Sequence, residues 1–238
     1  MMLDELGMLM DGTPADQRGL ERFRRAIESE NILNKRSAKT RALTLRHLAD
    51  LYALDPEQLV FRGLSYFWDR DEQGRPLLAL CASYARDALL AQIAPEVLKS
   101  GVGATVTRES VESTIEARNP GRFSPATRKS VAQNINSTLT QSGHLGGRVK
   151  KTRTQAEPSA GSVAYALLLG FASGARGSEL FRSPYMLLQD VPAERAMELA
   201  DEASRKGWIT FKRVGDVMEA AFPRILTADE LKAIHEQG

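Results

Sequence analysis

Between Ala117 and Ala156 the chain carries Arg118, Arg122, Arg128, Lys129, Arg148, Lys150, Lys151 and Arg153, and no Asp or Glu. The whole chain holds 32 basic and 30 acidic residues for a net charge of +2, so this run is a local asymmetry and not a bulk property. Gln133, Asn136 and Thr138 lie among these cations. Lys, Gln and Asn present donors and acceptors that match base edges in the major groove. Clustered cations neutralise phosphates and displace counterions. The chemistry these residues suit is non-covalent recognition of nucleic acid, with Arg122, Arg128, Lys129, Gln133, Asn136, Arg148, Lys150, Lys151 and Arg153 as candidate contacts. The plainer alternative is a solvated polar helix face beside a basic loop, or a surface for an acidic protein partner.

Other chemistries find no support. There is no Walker loop, no Gly-x-Ser-x-Gly, no His-Glu-x-x-His and no Gly-x-Gly-x-x-Gly; Gly101-Val102-Gly103 lacks the third glycine and a preceding strand. His47, His144 and His235 stand far apart. The single cysteine, Cys81, excludes an intramolecular disulfide and, with three histidines, leaves no zinc cluster. No catalytic residue, metal or cofactor is assigned. Ser173–Ser178 (SGARGS) could form an anion nest, but a tight helix-to-helix turn explains it equally well. A second basic cluster, Arg18, Arg22, Arg24, Arg25, Lys35, Arg36, Lys39 and Arg41, is interleaved with Glu21, Glu28 and Glu30. It either extends a nucleic-acid footprint or is a solvated face with i, i+4 pairs.

The elements that would position the candidate residues are mostly helices. Thr107 is a capping residue for a helix over Arg108–Arg118, Asn119-Pro120-Gly121 makes a turn, and Ser124-Pro125 opens a helix to about Gln141. In that helix Val131, Ile135 and Leu139 form an inward stripe that leaves Lys129, Gln133, Asn136 and Thr138 outward. Gly143–Gly147 stops it, and Arg148–Thr154 (RVKKTRT) suits a strand or hairpin tip. The pattern is a helix-turn-helix with a basic wing.

Upstream, Thr13-Pro14 opens a helix to about Glu30. Ser37 caps a second, with Leu43, Leu48, Leu51 and Tyr52 on one face, and a third carries Leu59, Leu64 and Phe67. A fourth runs from Leu77 through Leu89 to an interruption near Pro95. Downstream, Val163–Ala172 (VAYALLLGFA) is half the roughly 20 residues a membrane helix needs and reads as a buried core helix. A helix from Pro192 to Lys206, a hairpin over Trp208–Phe222 turning at Val214-Gly215-Asp216, and a Thr227–Glu230 capping box complete the chain. The acidic amino-terminal stretch argues against an export signal, and cysteine usage suits a reducing cytoplasm. The expected fold is mostly α, a helical bundle with helix-turn-helix or winged-helix-like units and short β-hairpins. Three regions are expected: a helical domain (1–103), the helix-turn-helix with basic wing (104–158), and a helical domain with a winged-helix-like hairpin (159–238).

The order of motifs resembles the BrxA family of bacterial BREX phage-defence systems. The resemblance rests on Asn31–Lys39 (NILNKRSAK), similar to the family's asparagine-rich, basic lead into a helix. The apolar Leu77–Ala91 helix with Arg86-Asp87, Ser124–Leu145 (SPATRKSVAQNINSTLTQSGHL) and Ser183–Leu188 (SPYMLL) support it. It spans roughly Asn31 to Leu226 through diffuse motifs, and the first thirty residues show no clear match. It implies a small all-helical protein with winged-helix character that binds double-stranded DNA without known catalysis, beside a methyltransferase and ATPases. No catalytic residue carries over. The expected partners are double-stranded DNA and other defence-system proteins, with no membrane. The competing reading is a protein–protein scaffold of the same system.

Overall fold

Most helix boundaries fall where the sequence offers a cap. The computed structural model describes residues 1–215 and 217–236, without the side chain of His235. Helix α1 (Leu3–Asp11), which the periodicity did not predict, buries Leu6, Leu9 and Met10. The single helix expected from Thr13 to Glu30 is broken. A 3-10 turn (Ala15–Gln17) precedes α2 (Leu20–Arg24), which continues through a π-helical turn (Arg25–Ser29). The interruption belongs to Arg18, whose buried guanidinium donates to the Met10 carbonyl (2.9 Å) and pairs with Asp69 (2.7 Å). Ser37 accepts the Thr40 amide and starts α3 (Ala38–Tyr52). Its buried face is Thr44, Leu45, Leu48 and Tyr52, whereas Leu43, expected inward, is exposed.

Helix α4 (Leu59–Trp68) is followed by α5 (Arg75–Arg86) and α6 (Ala88–Leu98). The break between the last two lies at Asp87, whose carboxylate accepts the amides of Leu89 and Leu90, and not at Pro95, which α6 holds in its interior. Strand β1 (Thr105–Val106) leads into α7 (Arg108–Arg118), capped by Thr107, and α8 (Pro125–Gln141), capped by Ser124. Strands β2 (Leu145–Gly146) and β3 (Lys151–Arg153) follow. The three strands form one antiparallel sheet in the order β1-β3-β2, with Thr105 opposite Thr152 and Leu145 opposite Arg153. Strands β1 and β2 lie outside the two segments expected to be extended.

Helix α9 (Ala160–Ala172) is buried from Ala160 to Phe171, as its apolar run requires. A Ser159/Ser162 capping box and the Asp71 carboxylate, which accepts the Gly161 amide at 2.6 Å, close its amino terminus. Close approach to α4 depends on Gly63, where a Cβ would stand 2.7 Å from Leu168 Cδ2. Among the described residues no helix is long and apolar enough to cross a membrane.

A 3-10 segment (Gly177–Arg182), α10 (Pro184–Leu187) and α11 (Ala193–Arg205) lead to the antiparallel hairpin β4 (Thr210–Val214) and β5 (Val217–Ala221). Asp216, in the expected hairpin turn, lies outside the described residues. The expected capping box forms: Thr227 accepts the Glu230 amide and Glu230 accepts the Thr227 amide, opening α12 (Ala228–Glu236). The fold is therefore mostly helical with few short antiparallel strands. One hydrophobic cluster runs from α1 to Leu226. Within it α9 packs against α4, α5, α10 and α11, and α5 also touches α3 and α8.

Candidate nucleic-acid interface

The candidate residues lie on the stretch α6–β1–α7–α8–β2–β3, in which α7 and α8 pack against each other and against α6. Of the eight central cations, three are held by carboxylates. Arg118 pairs with Glu96, Arg128 with Glu116 and Arg153 with Asp190. Arg122, Lys129, Arg148, Lys150 and Lys151 have no carboxylate partner among the described residues. Arg122 is exposed, stacks 4.9 Å over the Phe123 ring and donates to Asn119 Oδ1 at 3.2 Å. Arg148 and Lys150 are exposed beside Val149, which is 95% exposed at the tip of the β2–β3 hairpin. Lys151 is half-buried, and its Nζ donates to the Gly147 carbonyl at 2.6 Å.

Two expected contacts are placed elsewhere. Arg153 was expected along phosphates, but its side chain is 2% exposed. Its Nη2 meets Asp190 Oδ1 at 2.7 Å and its Nη1 meets Oδ2 at 3.0 Å, with the His144 carbonyl as a further acceptor. In the pleat of β3 it faces the core, so it ties the wing to the segment before α11 instead of reaching solvent. Asn136 and Thr138 were expected outward and are buried. The residues at the start of α1 explain Thr138: the Met1 amino group, just before the helix, donates to its Oγ1 at 2.9 Å, and the Leu3 amide donates to Gln141 Oε1 at 2.9 Å. The buried positions of α8 are Ala132, Ile135, Asn136, Thr138 and Leu139, a frame rotated from the Val131 stripe.

The outward face of α8 is Lys129, Ser130, Gln133, Asn134 and Ser137. Ser130, Asn134 and Ser137 were missed. Their i, i+4 and i+7 spacing was readable, but assigning it required knowing that Met1 and Leu3 bond to Thr138 and Gln141. Between this face and the wing lies a cleft of about 540 Å³ lined by Thr105, Arg108, Gln133, Asn136, Arg148 and Lys150, among others. At its wall the buried Asn136 Oδ1 has no hydrogen-bond partner. Along the other edge of α8 the field reverses, with Asp4, Glu5, Asp50 and Asp87 lining a second cleft.

Behind the wing, His144 is fully buried. Its Nε2 lies 3.1 Å from the Leu188 carbonyl and its Nδ1 2.9 Å from Ser142 Oγ. The carbonyl can only accept, so Nε2 carries the proton and Nδ1 accepts from the serine. Burial, with Arg153 beside it and against the pull of Asp190, pushes the imidazole down to about 4. The neutral ring thus bridges Ser142 and the Leu188 carbonyl.

Several of the remaining sequence candidates are held within the fold, although Arg25, Arg36, Lys39 and Arg41 of the amino-terminal cluster have no carboxylate partner among the described residues. Arg176, in the SGARGS segment, donates to the Phe171 and Ala175 carbonyls, which makes that segment a braced turn. In the amino-terminal cluster Arg18 pairs with Asp69, Arg22 with Glu30, Arg24 with Glu21 and Lys35 with Glu5. Among the described residues no group of three or more His, Cys, Asp or Glu is arranged to hold a metal ion. No protein-family model matches the chain, and neither curated proteins nor solved structures yield a match.

Proposed function

We propose that the protein is a non-enzymatic accessory factor that binds double-stranded DNA through the amino-terminal half of α8 and the β2–β3 wing. The observation that carries this reading is the group of five unpaired cations, Arg122, Lys129, Arg148, Lys150 and Lys151, flanking a helix face of amides and hydroxyls that contains no acid. In helix-turn-helix proteins the amino-terminal residues of the second helix meet the base edges. Here Lys129, Ser130 and Gln133 stand on the exposed face of that half, while Met1 and Leu3 bond to Thr138 and Gln141 at the other end of α8. The element order supports a winged helix-turn-helix: a helix pair preceded by β1 and followed by a hairpin whose second strand pairs with β1. The resemblance to the BrxA family sets this activity in cytoplasmic antiviral defence, beside the other proteins of a BREX-like system.

Salt titration of duplex binding tests the reading. Lys150→Ala/Lys151→Ala is expected to weaken binding about equally for all sequences and to lower the salt slope by roughly one unit per lost phosphate contact. Gln133→Ala leaves the slope unchanged. A folded double variant with unaltered affinity and slope overturns the proposal, and salt-insensitive co-purification with a protein and no duplex binding establishes the scaffold instead.

A further inference from the structure

The cleft between α8 and the wing is more than a surface for a duplex backbone. A backbone needs only donors and cations, yet the wall holds a side-chain oxygen, Asn136 Oδ1, that is buried and accepts from nothing. Asn136 is 6% exposed, and its Oδ1 is the buried atom without a partner. An unsatisfied buried acceptor is costly, so a donor from outside the chain, a water or a ligand, is expected to complete it. Gln133 presents a second amide to the same cleft, and Arg148, Lys150 and Lys151 face it from the wing. Across from them Glu109, held below the usual carboxylate range by its own backbone amide and Arg108, lines the α7 wall and leaves an anion only the wing side. The volume, about 540 Å³, lies within the few hundred to a thousand Å³ of small-ligand sites.

We propose that this cleft binds a single adenine nucleotide, its base edge against the Asn136 amide and its phosphate against Arg148 and Lys150. An amide offers one acceptor and one donor side by side, the complement of an adenine amino group and ring nitrogen. The nucleotide comes either free in solution or from an unpaired strand. The site overlaps the proposed duplex surface but does not need it.

Calorimetric titration with AMP, UMP, inorganic phosphate, an oligo-dA single strand and a DNA duplex tests this. AMP is expected to bind saturably, at least about fivefold more tightly than UMP. Asn136→Leu, which keeps the branched shape but removes the hydrogen-bonding atoms, weakens AMP about five- to hundredfold and leaves duplex affinity within twofold. Should that variant fail to fold, Gln133→Ala, at an exposed position, must weaken AMP without changing the melting temperature. Oligo-dA matching or exceeding AMP assigns the site to unpaired strands, and AMP alone assigns it to the free nucleotide. No saturable AMP binding, phosphate binding as tightly as AMP, or unaltered AMP affinity in both variants overturns the proposal. AMP binding without duplex binding leaves it standing and removes the duplex reading.

Discussion

Replacing Asp190 with Asn separates a structural role for Arg153 from a role at the nucleic-acid surface. Asn keeps the shape of the side chain and tolerates the left-handed backbone at this position, φ 58°, so the change is confined to the charge and to one of the two oxygens that accept from Arg153 and the Ala156 amide. It leaves the Arg153 guanidinium, 2% exposed, without its carboxylate. Removing one partner of a buried pair costs about 3–5 kcal/mol. Asp190 is 19% exposed, which places the expected loss near the lower end, about 3 kcal/mol. For a chain of this length that lowers Tm by roughly 6–12 °C. Urea denaturation followed by circular dichroism measures it. Arg153→Met added to Asp190→Asn removes the stranded charge and is expected to recover most of the loss. The double variant should also bind duplex DNA with the wild-type salt slope. A loss below about 1 kcal/mol in the single variant, or a slope lower by about one in the double, refutes the placement of Arg153.

The buried His144 predicts a pH dependence. Its folded value, about 4, lies below the unfolded 6.5, so the unfolded chain binds the extra proton and stability falls as pH drops through that window. Between pH 6.5 and 5, above the carboxylates, the loss is about 1.5 kcal/mol, and His144→Gln should flatten it in urea melts. Gly63→Ala is expected to destabilise by about 1–3 kcal/mol, because the methyl meets Leu168 and Tyr165; a gain in stability would contradict the α4–α9 approach. Ser124→Ala removes the acceptor for the Thr127 amide and should cost about 1 kcal/mol in the same melts without altering the duplex salt slope.

Local chemistry was readable wherever a boundary depends on its own neighbours. Ser37, Thr107, Ser124 and Thr227 each cap as their residue types and spacing require, and the apolar α9 is buried. Boundaries governed by distant partners were not readable. Arg18 leaves the helix path for Asp69, fifty-one residues away, and Asp87 ends α5 where Pro95 looked the stronger breaker. At the candidate site the charge asymmetry was plain, but which cations are free depends on Glu96, Glu116 and Asp190. Two of these lie outside the acid-free stretch on its upstream side and one beyond it downstream. The outward frame of α8 likewise depends on Met1 and Leu3, whose bonds to Thr138 and Gln141 no periodicity in α8 records.

The central place of α9 also has a consequence for the order in which the chain can become a folded protein. Part of the apolar surface of α4 and α5 closes against Tyr165, Leu168 and their neighbours, which are made after residue 160. At 5–20 residues per second the ribosome needs on the order of 5–15 s to travel from the end of α5 to the end of α9. For that interval the strip of α4 and α5 that α9 will bury lacks its cover, although Phe61 already has Phe23 and α5 already has α3. A chain arrested before Ala160 therefore exposes apolar surface, Phe67 included, that the finished protein hides.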